Sequence, residues 1–476
     1  MNDQLMLLAG AWVPRPGRME IRNPENGTLI GSVPRASAAD VEIALDSAFE
    51  ARRDARAMPA HMRASILLKA AALLEGDSES FARTIATEGI KTIREARLEV
   101  VRAAMTMRLA GEEAGRLVGE TISFSQRPGS ERRSGYFVYE PVGVVVAIAP
   151  FNDPLNLVAH KVGPAIAAGN TVILKPHGKT PFSAIRLAQV LQRAGLPDNV
   201  LQVITGSGAE IGDQLVSDRR VRMVSFTGGR STGERIASVA GVKKLSLELG
   251  SNCPNIVMAD ADINRAANDC ISGAFWAAGQ NCLHVQRIYV ERPAYDRFRE
   301  EMVARARCYV TGPKLSDSTD MGCIIDENEA ARIELSVHSA VKQGGRVVVG
   351  GMRAGTVMQP TLVENVPDGH VLMRDEVYGP VSLLAPFDNF EEAVARANAV
   401  DLGLQAAIFT SRLETALDAI ERLEAGAIMV NESTDYRLDS MPFGGIKGSG
   451  MGREGVRHAM IEMSEQKVAC FNRAVH

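Results

Sequence analysis

No stretch of the chain approaches the ~18 consecutive apolar residues that a bilayer-spanning helix requires, so no membrane span is predicted. Cysteine is scarce, with six among 476 residues. The six are scattered and none of their spacings matches a zinc site, so neither a disulfide framework nor a metal centre is expected, and a reducing, cytoplasmic setting fits. Neither sign of charge dominates: 53 Lys and Arg against 57 Asp and Glu leave a formal net charge of −4. That removes the electrostatic reason to expect nucleic acid or an anionic membrane as a partner. A basic segment is missing before the short apolar run 5–9, where Asp3 stands instead, and no secretory signal is expected. Internal repeats and low-complexity segments are absent too. What is present, 46% apolar and 23% charged residues, is ordinary for a soluble globular protein and excludes extensive disorder. A chain this long is predicted to build two or three domains, each with ample buried surface.

Ser37-Ala38-Ala39-Asp40 is a capping-box-like start to a helix that carries Val41, Ala44, Leu45 and Ala48 at helical spacing. A second helix follows Pro59, with Ile66, Leu67, Ala70, Leu73 and Leu74 on one side, and Gly76 stops it. Helical pattern continues over 79–117, so the first quarter is largely helical after a short β start. Residues 130–140 turn polar, charged and aromatic, with alternation in the last half, which fits a projecting strand pair or a surface hairpin. From Val142 the pattern becomes regular. Apolar strands at 142–149, 171–175, 200–204, 223–226 and 244–248 alternate with helices that include one from Asn156, one over 181–194 and one after Gly208. This predicts a doubly wound parallel sheet with a nucleotide site at its carboxyl edge. Gly206-Ser207-Gly208-Ala209-Glu210-Ile211-Gly212 is one residue longer than the dinucleotide fingerprint and by itself reads as a plain strand-to-helix turn. A second α/β region has strands at 255–258, 285–290, 346–349 and 427–430, and an alternating strand at 465–471 pairs either with another subunit or within the chain.

The chemistry centres on Gly279-Gln280-Asn281-Cys282, read as a loop at the edge of an apolar helix over 271–278. An exposed thiol there is a candidate nucleophile, while a single cysteine is also commonly a small buried hydrophobe. Three further stretches set polar groups at strand ends or turns: Ala149-Pro150-Phe151-Asn152, Leu245-Ser246-Leu247-Glu248-Leu249-Gly250, and Asp375-Glu376-Val377-Tyr378-Gly379-Pro380. Taken singly, Asn152 reads as a turn residue before Pro154 and Glu248 as a salt-bridge partner. Cys253 lacks the Gly-Gln setting and reads as packing. His284 is discounted as a partner for Cys282, because a catalytic histidine is normally remote from its cysteine in sequence.

Together with Lys175-Pro176, Phe226-Thr227-Gly228 and Pro442-Phe443-Gly444-Gly445-Ile446-Lys447, these motifs match in order, spacing and context, and over residues 8–471 the chain resembles the aldehyde dehydrogenase superfamily. The resemblance implies an α/β fold of aldehyde dehydrogenase type. Its parts would be a cofactor-binding domain with the doubly wound parallel sheet (1–125 and 142–250), a second α/β catalytic domain (251–440) and a small β oligomerisation extension (126–141 and 460–476). A homodimer or homotetramer would follow. It also implies NAD(P)-dependent oxidation of a small-molecule aldehyde. Cys282 is then the nucleophile, the Asn152 carboxamide and the Cys282 backbone N–H form the oxyanion hole, and Glu248 activates the water that hydrolyses the thioester. A thiol with an ordinary pKa of ~8.5 is mostly protonated at neutral pH and must be activated, and one lost oxyanion donor typically costs ~2.7–4 kcal/mol. The presence of Glu248 disfavours a CoA-acylating relative. With Cys282 and Asn152 it also disfavours a catalytically inactive structural or binding protein of the same fold.

On the cofactor side the resemblance assigns Lys175 to the adenosine ribose and Glu376 to the nicotinamide ribose, and sets Gly178, Lys179, Gly208, Phe226, Gly228, Gly229, Leu249 and Tyr378 in the same site. NAD-preferring members commonly carry a glutamate three residues beyond the lysine. Gly178 stands there, followed by Lys179, so NADP is expected to be accepted, alongside NAD, unless Lys179 simply points to solvent. Gly229 and Arg230 replace the usual Ser-Thr, which removes one side-chain pyrophosphate contact, and Ser251 replaces a glycine. For the substrate, 151–161 and 431–437 are similar to the branch that holds phosphonoacetaldehyde and lactaldehyde-type dehydrogenases. That likeness sets Arg102, His160 and Arg437 around an anion pocket, with Asn281 where phosphonoacetaldehyde enzymes tend to carry an arginine. An aldehyde with a phosphonate, sulfonate or carboxylate tail is the leading expectation, and a neutral hydroxyaldehyde such as lactaldehyde the alternative. Arg102, in a charge-rich helix, reads equally as a solvated or salt-bridged residue.

Overall fold

The computed structural model describes residues 2–473; position 1 and positions 474–476, which belong to the expected spans 1–125 and 460–476, lie outside the described residues. Strands Val144–Ile148, Thr171–Lys175, Leu201–Val203, Val221–Thr227 and Lys244–Glu248 run parallel in one sheet. Their apolar runs face cores on both sides, which is why they read as continuous rather than alternating hydrophobic stretches. Val145 and Val172 join one core, whereas Val146 and Ile173 join the other. Strands Met6–Leu8 and Ala11–Val13 close one edge and Gly450–Met451 the other, each antiparallel to its neighbour. Gly450–Met451 lies beyond the spans 1–125 and 142–250, and backbone pairing with Lys244–Glu248 draws this late segment onto the cofactor-side sheet.

A second sheet gathers Cys253–Val257, Val285–Glu291, Arg346–Val349, Thr361–Glu364, Val381–Phe387, Gln405–Phe409 and Ala427–Val430 around a separate core. In a third, Arg133–Pro141 lies between Glu120–Ile122 and Ser464–Asn472, antiparallel to both. The late strand therefore has an intramolecular partner along its whole length.

The first quarter is helical, as its periodicity predicts. Ser37 caps Ala38–Ala57 through a complete capping box with Asp40. Helical pattern over 79–117 resolves into two helices, Ser78–Glu88 and Ile93–Glu113. The break falls where Thr92 and Glu95 form a second capping box, which satisfies the free N–H groups of a new helix start. No helix among the described residues is long and apolar enough to cross a membrane.

Candidate active site

The nucleophile loop differs from the sequence expectation. The apolar helix expected over 271–278 spans Ile263–Phe275 and ends before the two alanines, and a short 3-10 turn, Trp276–Gly279, follows. Ala277, Ala278 and Gly279 take φ of 51°, 54° and 67°, a conformation that costs alanine roughly 1–2 kcal/mol per residue. Distant groups hold it in place. Glu95 accepts the Ala277 N–H at 2.7 Å, and the Gln280 carboxamide bridges the Cys323 carbonyl and the Ile325 N–H, each at 3.0 Å. A Cβ on Gly279 would come within 2.2 Å of the Gly379 carbonyl oxygen, so this turn packs directly on the segment that follows Glu376 and Tyr378.

Cys282 is partly exposed and rests against Leu283, Leu404 and Phe443. Burial pushes its thiol well above the ordinary range; Arg437 pulls it down, while Glu376, Glu248 and Cys253 push the same way as burial. Cys282 therefore rests as a thiol. Asn281 spends its carboxamide inside the loop, accepting the Leu283 N–H at 2.9 Å and donating to the Trp276 carbonyl at 3.4 Å. Asn152 sits on the loop after Val144–Ile148, buried, with its Oδ1 lacking a hydrogen-bond partner among the described residues.

Glu248 ends its strand at 3% exposure, and neither carboxylate oxygen has a hydrogen-bond partner among the described residues. The salt-bridge reading of this residue finds no partner here. Burial, then Glu454, raise its pKa well above the usual carboxylate value, against the pull of Arg437, Lys161 and Arg453. Gly444 makes room for it, since a Cβ there would lie 2.9 Å from Glu248 Oε1. Glu454, by contrast, accepts from Lys161 at 2.8 Å and from Arg437 at 3.0 Å, and stays ionised against burial. Arg437 lies over the Phe443 ring at 3.8 Å, and its Nε is buried without an acceptor among the described residues.

The other two expected cations are already engaged. Arg102 and His160 both contact Asp439 Oδ1 at 2.9 Å, and Asn156 donates to the same oxygen at 3.3 Å. Burial, then Arg437, lower the pKa of His160, so its ring is neutral and donates from Nε2. Arg102 thus takes the salt-bridged role that its helix allowed.

On the other side of the catalytic loop, Lys175 ends its strand buried, and burial brings its pKa down to about 8. Its nearest acceptor is the Pro176 carbonyl at 3.4 Å, and a Cβ on Gly208 would lie 3.8 Å from Lys175 Cε. A buried ammonium without a carboxylate partner among the described residues, facing glycine, suits a ligand hydroxyl or phosphate. Gly208 begins helix Gly208–Ser217 and Gly229 caps helix Arg230–Val239, so two helix N-termini face this region. Phe226 packs against Gly228 and Leu249 against Gly233. Around Gly178 there is space, a Cβ there being 3.9 Å from the nearest atom, Met19 Cε. Lys179 pairs with Asp326 rather than pointing free into solvent. Glu376 accepts the Ser251 N–H at 2.8 Å and burial brings its carboxyl to about 7, while Tyr378 stands edge-on to Phe151 at 5.8 Å. These residues fit a dinucleotide.

Sequence reading passed over Glu95, Asp435, Asp439 and Glu454. Asp439 stands in Arg437-Leu438-Asp439, close to a residue already singled out, but its role depends on Arg102, which only the fold brings near. His177, beside Phe151 at 5.3 Å and brought to about 3 by burial, was likewise unmarked.

The profile of the Aldehyde dehydrogenase family matches residues 12–469. An aspartate-semialdehyde dehydrogenase 1 from Pseudomonas canavaninivorans is 47% identical, over 95% of this chain and 96% of its own length. A 3-sulfolactaldehyde dehydrogenase from Priestia aryabhattai is 42% identical over 97% of each chain. A lactaldehyde dehydrogenase from Methanocaldococcus jannaschii is 38% identical over 98% of this chain and 100% of its own. Among solved structures, an NADP-dependent glyceraldehyde-3-phosphate dehydrogenase from Bacillus halodurans, complexed with NADP, superposes with a TM-score of 0.97 at 35% identity and full coverage of both chains. With the motifs, the fold and the full-length match in agreement, this chain belongs to the aldehyde dehydrogenase family.

Proposed function

We propose that the protein oxidises a small aldehyde with an anionic tail (phosphonate, sulfonate or carboxylate) to the corresponding acid, with NADP or NAD as hydride acceptor. The observation that carries this reading is Arg437. Its buried Nε has no acceptor among the described residues, and such an unpaired donor costs about 1–3 kcal/mol, which an anionic substrate oxygen would offset. Lys161 and Arg437 share one ionised carboxylate, Glu454, and burial draws Glu248 towards its neutral form, so positive charge is in surplus beside Cys282 until Glu248 gives up its proton. Two relatives are named for aldehydes with anionic tails, which supports the reading.

The Cys282 thiol gives its proton to solvent water as its sulfur adds to the carbonyl carbon, with Arg437 favouring the thiolate. Asn152 and the Cys282 N–H hold the resulting oxyanion. Lys175, Gly208, Gly229 and Glu376 would hold a dinucleotide, whose nicotinamide would supply the hydride acceptor for the former aldehyde carbon. The thioester left on Cys282 is cleaved by a water whose proton passes to ionised Glu248. At Gly178 no carboxylate opposes a 2′-phosphate, so NADP is accepted; with Lys179 engaged by Asp326, the relief comes from space and missing charge.

A second reading, a neutral hydroxyaldehyde such as lactaldehyde, is favoured by the pairing of both Arg102 and His160 with Asp439 and by the lactaldehyde dehydrogenase relative. Self-association through the strand Ser464–Asn472 and a reducing, cytoplasmic setting that keeps Cys282 a thiol complete the proposal.

Values of kcat/KM for phosphonoacetaldehyde, 3-sulfolactaldehyde, succinic semialdehyde and lactaldehyde, each with both cofactors, separate the readings. The best anionic aldehyde is expected to lead lactaldehyde by about tenfold or more, and Arg437→Met to remove most of that lead. Equal values for neutral and anionic aldehydes would sink the anionic reading, and a strong preference for NAD would sink the account of Gly178.

A further inference from the structure

Resting on the anionic-aldehyde reading, we infer that the substrate's tail also carries an ammonium group received by Asp435, so that the site takes a zwitterionic amino-acid semialdehyde.

Asp435 is held firmly in place. Thr434 Oγ1 donates to the Leu283 carbonyl at 2.9 Å, and the Gln405 carboxamide donates to the carbonyls of Thr434 at 2.7 Å and Tyr436 at 3.2 Å. Both peptide neighbours of Asp435 are thus tied to the nucleophile loop and the second sheet. Its Cβ lies against Gly273, where an added Cβ would approach to 2.9 Å, so the glycine leaves space for this side chain. The carboxylate forms no hydrogen bond or ion pair among the described residues.

The charges facing it are Arg102, Lys91 and Glu95, from the helix Ile93–Glu113 and the segment before it, and Asp153, the residue after Asn152. Asp435 therefore shares a wall with Arg102 and with Asp153, the residue after Asn152. Both cations have carboxylates of their own: Arg102 bonds Asp439 at 2.9 Å, and Lys91 bonds Glu99 at 2.9 Å and Asp153 at 2.5 Å. Negative charge is left over on this wall. Burial, with Asp153 and Glu95 nearby, pushes the Asp435 carboxyl well above its usual range, a load that a bound cation relieves.

Two positions on, Arg437 is the converse, a cation that lacks a full complement of acceptors. One loop thus offers an unspent carboxylate and an unspent guanidinium N–H. A neutral tail uses neither. A purely anionic tail uses Arg437 but leaves the Asp435 carboxyl without a cation. A tail with both signs uses both, because the half-buried carboxyl and the buried guanidinium N–H each gain a partner.

The test compares L-aspartate 4-semialdehyde with succinic semialdehyde, which differ only in the α-ammonium group. In the unaltered enzyme kcat/KM is expected to favour the amino compound by about tenfold or more. Asp435→Asn should bring this ratio close to one, and Asp435→Glu should keep part of it. A ratio of one or below in the unaltered enzyme, or one that Asp435→Asn leaves unmoved, overturns the inference. The first comparison stands even where a variant does not fold. Succinic semialdehyde with Arg437→Met tests the parent reading separately. If its turnover falls while the ratio is one, only the Asp435 assignment fails; if Arg437→Met changes nothing, the anionic reading fails and takes the inference with it.

Discussion

A buried carboxyl that is to serve as a base must first lose its proton, and burial resists that loss at Glu248. The sign follows directly. Its folded pKa lies well above 4.5, so the base form grows as pH rises through that elevated value. The same shift means the folded state holds a proton that the unfolded chain has released, so the group's contribution to stability declines as pH climbs from the ordinary glutamate range towards the elevated pKa. Steady-state kcat is expected to rise with pH along this limb. Glu248→Gln should flatten the limb and slow turnover by about 10²–10⁴, the usual worth of a positioned base. Rapid mixing should still show a first burst of reduced cofactor in that variant, because hydride transfer precedes hydrolysis. A pH limb that survives the substitution would remove Glu248 from this role.

Both catalytic loops hang from one helix start. Within Ile93–Glu113, Glu95 takes the Ala277 N–H at 2.7 Å, while Glu99 takes the N–H groups of Leu155 and Asn156 at 2.8 and 3.1 Å. Lys91 sits between Glu99 and Asp153, with side-chain exposure of 1%, 0% and 13% in turn. Burial works against the Lys91 ammonium, but Asp153 and Glu99 outweigh it. Removing such a partner leaves buried like charges facing each other, and Lys91→Met is expected to destabilise the fold by about 3–5 kcal/mol in urea denaturation. Glu99→Gln in the same chain should recover part of the loss; a single variant as stable as the parent would show the pair to be idle. This dependence on distant groups also sets what the sequence discloses. Strands Thr171–Lys175, Lys244–Glu248, Arg346–Val349 and Ala427–Val430 were legible to the residue, because short runs rich in β-branched and aliphatic residues specify them locally. Cys282, Glu248 and Asn152 were singled out through motifs, each at a strand end or turn. The end of the helix at Phe275 was not, since Ala277 and Ala278 are helix formers and groups distant in the chain, Glu95, Cys323 and Ile325, hold the turn in left-handed geometry. The charge state of the substrate wall was hidden for the same reason: Arg102 shows its guanidinium in the sequence but not its pairing with Asp439.

At the scale of the whole molecule, the two large sheets each close on their own cores, but the third does not. Ser464–Asn472 gives one edge to Arg133–Pro141 and has no strand on its other edge among the described residues. Nine residues of open edge are a template for pairing with another chain unless they are covered. The side chains there are not those of a protected edge, since Val468 is 60% and Phe471 56% exposed, with Tyr136 beside Phe471 at 6.2 Å. Covering this edge with a second copy of the chain would bury both the unpaired backbone groups and the apolar side chains. The protein is therefore expected to elute as a dimer or tetramer in size-exclusion chromatography with light scattering. Val468→Asp should shift it towards smaller species. Because Val468 is exposed within one chain, the same change should alter the stability of the isolated subunit by no more than about 0.5 kcal/mol, so a smaller assembly that remains folded by circular dichroism is the diagnostic result. An unaltered protein that runs as a monomer, or a Val468→Asp variant that assembles as the parent does, would place the subunit contact elsewhere.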